Sequence, residues 1–255
     1  MLTKRIIACM DVRDGQVVKG VQFQQLRHAG DPAELARRYN VEGIDEVVVL
    51  DITATLESRQ ALARTISAVA HEIFLPLTVG GGIRDESAAA AAVDAGADKV
   101  SLNTAALLNP ELISTLARRY GSQAVIVAID AKRMEGDVRG RFGVFVRSGT
   151  ADAARDAVEW ARQAESRGAG EILLTSMDRD GTRAGFDCEL TAAVADAVNI
   201  PVIASGGAGG LAHFADVFTH GHADAALAAS IFHYADTGVA DVKRYLHSAG
   251  IPVRL

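Results

Sequence analysis

The sequence predicts a (β/α)₈ barrel. Eight short aliphatic runs recur along 255 residues, and segments with helical spacing alternate with them. The two halves of the chain also resemble each other. The eight runs are RIIACM, EVVVLD, LPLTVGGG, DKVSLN, AVIVAID, EILLTS, IPVIASGG and ADAALAAS. They are continuously apolar rather than alternating, as parallel strands buried on both faces require. A doubly wound open sheet is the competing fold, but no strand-order switch point is visible.

Between the runs lie PAELARRYNVEG, SAAAAAVDAG, NPELISTLARRYG and DAVEWARQAESRG. Several begin at Asp-Pro, Asn-Pro or Asp-Glu-Ser and end at glycine, which are helix start and stop signals. The half-chain similarity aligns EGIDEVVVLDIT with RGAGEILLTSMD and LPLTVGGGI with IPVIASGGA. Glu46 falls on Glu171 and Gly82 on Gly207, both at a spacing of 125 (171 − 46; 207 − 82). Thr104 falls near Ser230, and Asp11 after IIACM matches Asp130 after VIVAI. These matches predict half-barrels of about 1–120 and 121–255 within a single domain spanning 1–255, with no low-complexity linker between them.

Composition bounds the function. Apolar residues make up 49% and charged residues 23%, with a net charge of −6, so the chain lacks the basic balance of a nucleic-acid binder. Cys9 and Cys188 stand alone, without metal-ligand or disulfide spacing, and Cys9 reads as a packing residue. No run approaches the roughly 20 apolar residues of a membrane helix, and the first residues are too weakly apolar for a signal peptide. The expectation is a cytoplasmic protein.

Barrels of this kind carry their sites at the C-terminal ends of the strands. Gly80-Gly81-Gly82 and Ser205-Gly206-Gly207 fall there, and such glycines either make tight turns or let backbone N–H groups approach an oxyanion. Asn103-Thr104 and Ala229-Ser230 follow the fourth and eighth runs, where a helix start adds its dipole. Two symmetric anion sites imply a substrate with a phosphate at each end.

Asp11 and Asp130 end apolar strands between those sites. Either alone reads equally as a turn or cap residue; together they suit an acid–base pair. Asp51 and Asp180 also lie near strand ends. Lys19, in GQVVKG, belongs to a hairpin in the long first loop. Arg5, Glu46, Lys99 and Glu171 each start a strand at the opposite end. They form either solvated strand starts or a neutral salt-bridged ring at the barrel bottom.

The motifs RIIACMDVRDGQVVKG, LDITAT, TVGGGIR, ADKVSLNTAA, GSQAVIVAIDAKR, GAGEILLTSMDRDGT, IASGGAG and ADAALAASIFH resemble the cyclase subunit of the imidazole glycerol phosphate synthase family, along the whole chain to VRL. The resemblance implies a (β/α)₈ barrel paired with a glutaminase subunit, whose ammonia crosses the barrel interior to a ribulosyl formimino aminoimidazole carboxamide ribotide. It implies Asp11 and Asp130 as the acid–base pair. Gly82, Asn103 and Thr104 would hold one phosphate; Asp180, Gly181, Gly207, Ala229 and Ser230 would line the other. It further implies Lys19 in the closing loop, an ammonia gate at Arg5, Glu46, Lys99 and Glu171, and Asp98 facing the glutaminase. No metal or organic cofactor is implied.

Met10, Arg13 and Gln16 depart from the family's commoner Leu, Lys and Arg, and QFQQLRHAG is atypical for the first loop. MEGDVRGRFGVFVRSGTADA corresponds to the variable fifth loop. The rival readings are the ketoisomerase one step earlier and a barrel kept only to activate the glutaminase. The charged-ring positions and DAKR after Asp130 disfavour the first, and the retained aspartates and phosphate loops disfavour the second.

Overall fold

The computed structural model describes residues 2–21, 24–52, 58–134, 141–146, 149, 151–233 and 237–255, the side chains of 19–21, 24–28 and 58–61 apart. Strands and helices alternate as in a (β/α)₈ barrel rather than an open doubly wound sheet. The chain comprises two compact units, Met1–Ser101 with Leu227–Leu255, and Leu102–Ala226.

The first unit opens with β1 (Arg5–Arg13) and a hairpin of β2 (Gln16–Val21) and β3 (Gln24–Gly30). It continues through α1 (Pro32–Val41), β4 (Glu46–Asp51), α2 (Ser58–Glu72), β5 (Leu77–Gly80), α3 (Glu86–Asp94) and β6 (Lys99–Leu102). Strands β1, β4, β5 and β6 pair in that order, all parallel. Their aliphatic side chains, among them Ile6, Ile7, Val47, Val49, Leu77 and Val79, are fully or almost fully buried. Helices α1, α2 and α3 supply Leu35, Tyr39, Ile66, Val69 and Ala89 to the same core. Each large aliphatic group removed from water contributes about 1.5–3 kcal/mol, which is why these runs become interior strands.

The second unit carries α4 (Thr104–Leu108), α5 (Glu111–Tyr120), a 3₁₀ turn at Ser122–Ala124 and β7 (Val125–Arg133). The hairpin strands β8 (Phe142–Val146) and β9 (Ala151–Asp156) lead to α6 (Ala157–Ser166), β10 (Glu171–Ser176) and α7 (Cys188–Ala195). Then come β11 (Val202–Ser205), α8 (Leu211–Thr219) and β12 (Ala225–Ala228). Strand β10 lies between β7 and β11, parallel to both. Helices α9 (Ser230–His233) and α10 (Val239–Ser248) belong to the first unit. Among the described residues no helix is long and apolar enough to cross a membrane.

Helix starts follow the sequence signals in part. Asp31 accepts from Ala33 N and Glu34 N with Pro32 opening α1, and Asp85 accepts from Ala88 N ahead of α3. The Asn109-Pro110 signal works differently. Pro110 occupies the cap position of α5 without a side-chain bond, and Asn109 contributes its main-chain carbonyl to Leu112 N at 3.1 Å.

A less expected device sets the strand starts. Asp45 Oδ2 accepts from Ile6 N at 2.8 Å, Asp98 Oδ2 from Leu77 N at 2.8 Å, and Asp224 Oδ2 from Val202 N at 3.1 Å. Each aspartate precedes a strand and satisfies an N–H at the start of the preceding parallel strand, which has no ladder partner there. Gly170 holds the matching place before β10. A Cβ there would meet Ser122 O at 2.2 Å, so only the backbone bond from Gly170 N to Val125 O, 2.9 Å, is made.

Candidate active site

The two aspartates occupy the same kind of position, one in each unit. Asp11 pairs in parallel with Leu50 of β4 and antiparallel with Val18 of β2. Asp130 pairs in parallel with Thr175 of β10 and antiparallel with Phe145 of β8. Each therefore lies where a buried parallel strand passes into a protruding hairpin, at the C-terminal strand end where barrel sites form. Both are half-buried. Cys9, buried in β1 as a packing residue, brings its Sγ to 4.0 Å from Asp11 Oδ1.

Asp130 has the more particular surroundings. Asn103 Nδ2 donates to its Oδ2 at 2.9 Å. Burial pushes its carboxyl pKa up, the negative charge of Asp180 pushes the same way, and the Asn103 bond opposes both. The net effect is to raise the Asp130 pKa above that of a carboxyl in water. Asn103 directs its amide at Asp130 and makes no side-chain cap for α4, and its Oδ1 is buried with no hydrogen-bond partner among the described residues. Thr104 opens that five-residue helix, and Ser230 opens the four-residue α9. Both expected helix starts are present.

Asp180 and Gly181 follow β10 in a turn. The Asp180 N–H is committed to Ser176 O at 2.9 Å, and Gly181 has φ +75°. The two glycines aligned by sequence, Gly82 and Gly207, differ in their needs. Gly82 has φ +73° and open space where a Cβ would stand; at Gly207, φ +101°, that Cβ would meet Gly185 O at 2.1 Å. Gly207→Ala is accordingly expected to lose about 3 kcal/mol or more, and Gly82→Ala about 1 kcal/mol, read from urea unfolding midpoints. Equal losses would mean the loop after β11 relaxes freely. Gly81 is likewise structural, its Cβ position lying 2.0 Å from Asp51 O. Lys19 is placed only by its backbone, opposite Arg27 in the hairpin; its side chain lies outside the described residues.

At the other end of the strands of the first unit, Arg5, Glu46 and Lys99 meet. Arg5 Nη1 reaches Glu46 Oε2 at 2.9 Å, and Lys99 Nζ reaches Oε2 at 3.0 Å and Oε1 at 3.2 Å. Glu46 is 1% exposed. These are part-buried ion pairs on a buried carboxylate, not solvated strand starts. Thr78 Oγ1 also donates to Glu46 Oε1, at 2.7 Å, and is a member that sequence reading missed. Its signal is a lone hydroxyl in an aliphatic strand, in register with Lys99 across β5 and β6. Glu171 is buried at the corresponding first position of β10, in the second unit. Asp98 is exposed but already employed at one oxygen, on Leu77 N.

A barrel with carboxylates at the C-terminal ends of its strands defines an enzyme of the (β/α)₈ class. The model of the histidine biosynthesis protein family matches residues 5–237, and the chain belongs to that family. It is 60% identical over 255 residues to imidazole glycerol phosphate synthase subunit HisF of Acidobacterium capsulatum, covering 100% of this chain and 99% of the relative.

Proposed function

We propose that the chain is the ammonia-dependent cyclase of imidazole glycerol phosphate synthase, acting as one barrel domain in the cytoplasm beside a glutaminase subunit. It converts the ribulosyl formimino aminoimidazole carboxamide ribotide to imidazole glycerol phosphate and aminoimidazole carboxamide ribotide. The likeness to the synthase subunit over the whole chain supports the reaction. The single structural observation that carries it is Asp130, held toward its acid form by burial and Asp180 while fixed by Asn103.

In this reading Asp130 gives its proton to the oxygen lost when ammonia condenses at the ketose carbonyl. Asp11, in the matching strand, takes protons during addition and serves ring closure and the carbon–nitrogen cleavage that releases aminoimidazole carboxamide ribotide. Neither step needs more than proton transfer between well-placed groups. Gly82, Asn103 and Thr104 hold one substrate phosphate. Asp180, Gly181, Gly207, Ala229 and Ser230 line the other, and Lys19 closes over the substrate. Arg5, Glu46, Lys99 and Glu171 gate the ammonia route.

The glutaminase docks at the strand N-termini, where Asp98 and Phe74 lie ahead of β6 and β5. Phe74 is 98% exposed, an apolar ring with no use in the folded chain alone. Phe74→Ser is expected to weaken glutaminase binding by about ten-fold or more in a titration, with ammonium-driven turnover unchanged. Unchanged affinity would move the docking surface elsewhere.

The decisive assay supplies the purified chain with the ribulosyl substrate and ammonium salt, without glutaminase. Wild type is expected to consume substrate, and Asp11→Asn and Asp130→Asn to suppress this. Isomerisation of the preceding aldose in place of cyclisation would sink the reading and favour the ketoisomerase. Glutaminase activation without turnover would leave only a binding barrel.

A further inference from the structure

Ser230, proposed above as a phosphate ligand, opens a helix of four residues, Ser230–His233. Phe232 N and His233 N donate to Ala229 O, both at 3.0 Å, and Thr237 N donates to Ile231 O at 3.3 Å. The last described residues of the helix, Phe232 and His233, are also held from outside it.

Two consecutive residues of α1 do so. Arg38 Nη2 donates to Phe232 O at 2.6 Å and lies 3.5 Å from His233 O. The Tyr39 hydroxyl lies 2.5 Å from His233 Nδ1, a buried contact. The Tyr39 ring also packs edge-on to Phe232, with centroids 6.5 Å apart, and against the His233 ring at 6.2 Å. Tyr39, Phe232 and His233 are all buried, so these contacts are not traded for water. Burial keeps Tyr39 a neutral phenol, pushing its ionisation well above the usual range, and a phenol can donate to the ring nitrogen.

We infer that Arg38, Tyr39 and His233 form a clamp on the C-terminal end of α9 that positions Ser230 for the substrate phosphate. These are positioning residues; none is placed against the substrate. The inference rests on the phosphate-binding role proposed for Ser230. A clamp of this kind acts on binding: a displaced Ser230 weakens the hold on a phosphate remote from the reacting carbons and leaves the chemical step as it was.

The test measures KM and kcat for the ribulosyl substrate with saturating ammonium, on the full chain, for Ser230→Ala, Tyr39→Phe, Arg38→Lys and Tyr39→Phe/Ser230→Ala. The expected result is a KM raised roughly three- to ten-fold by each single change, with kcat within about two-fold of wild type. The double variant is expected to show little more than the larger single effect, because Tyr39 acts through Ser230. Tyr39→Phe combined with Thr104→Ala, at the other phosphate, is expected to be additive.

Arg38→Lys keeps the charge but loses the planar fork, and it reads the clamp independently if Tyr39→Phe does not fold. A raised KM for Ser230→Ala with unchanged KM for Tyr39→Phe and Arg38→Lys overturns the clamp, as does full additivity with Ser230→Ala. A lowered melting temperature with unchanged KM assigns the cluster to stability alone. If Ser230→Ala itself leaves KM unchanged, the phosphate reading fails first and the clamp has nothing to position.

Discussion

Asp130→Asn is expected to lower ammonium-driven turnover by about 10²- to 10⁴-fold, the usual share of a general acid, while making the protein more stable at neutral and alkaline pH. The second half follows from the direction of the Asp130 shift. Burial first, and the facing Asp180 charge next, raise its pKa in the folded chain above the unfolded value, against the Asn103 bond. The native state then holds the proton more tightly than the unfolded state. Its contribution to stability is whole below the unfolded pKa and is lost as pH rises through the folded pKa. Above that window the ionised carboxylate is a constant penalty.

Asparagine cannot ionise, and its amide oxygen can still accept from Asn103. The variant's advantage is therefore expected at pH 8 and absent at pH 3, read from melting temperatures at both. A lower melting temperature for the variant at both values would show that the carboxylate is well satisfied in its ionised form. Asp180→Asn checks the same electrostatics through the rate. A general acid loses activity as pH rises through its pKa, so removing the Asp180 charge is expected to move that limb of the kcat profile to lower pH. An unmoved limb would remove Asp130 from the acid role.

Glu46→Ala is expected to be the most destabilising single change near the strand N-termini. It removes a buried carboxylate that Arg5, Lys99 and Thr78 share. Breaking one side of a buried ion pair costs about 3–5 kcal/mol. For a chain of this size that corresponds to a fall of roughly 6–20 °C in melting temperature. A fall of only a degree or two would mean that water reaches the site and screens the pair.

Removing these charges together leaves none of the three uncompensated, so Arg5→Met/Glu46→Met/Lys99→Met is expected to regain most of the loss. If these residues gate ammonia, that triple variant separates the two uses of the site. Turnover with ammonium salt stays near wild type, whereas turnover driven by glutamine through the partner falls. Equal retention of both would reduce the cluster to a structural one.

The eight parallel strands were legible because burial on both faces leaves a continuous aliphatic signature in each run, and all eight form. Asp11 and Asp130 were legible as carboxylates ending such runs. What made them distinct from capping residues was not: only the ladder shows that each pairs with a neighbouring parallel strand on one side and a hairpin strand on the other. Thr78 was missed because a threonine in a strand is ordinary; its hydroxyl matters through register with Lys99 and contact with Glu46. Gly82 and Gly207 look alike in sequence, yet one faces open space and the other a carbonyl, a difference that depends on the loop packed against each.

By itself, then, the sequence determined the class of fold, the positions of the two aspartates and the residue types at the strand starts. Those follow from periodicity and from the solvation cost of polar groups, which act along the chain. The tertiary structure decided which carboxyl has its pKa raised by burial, which charges meet, and what the helix at Ser230 packs against. Such properties depend on distances between segments far apart in sequence, Asn103 to Asp130, Arg5 to Glu46 and Tyr39 to His233, and on the burial that the packing of those segments creates.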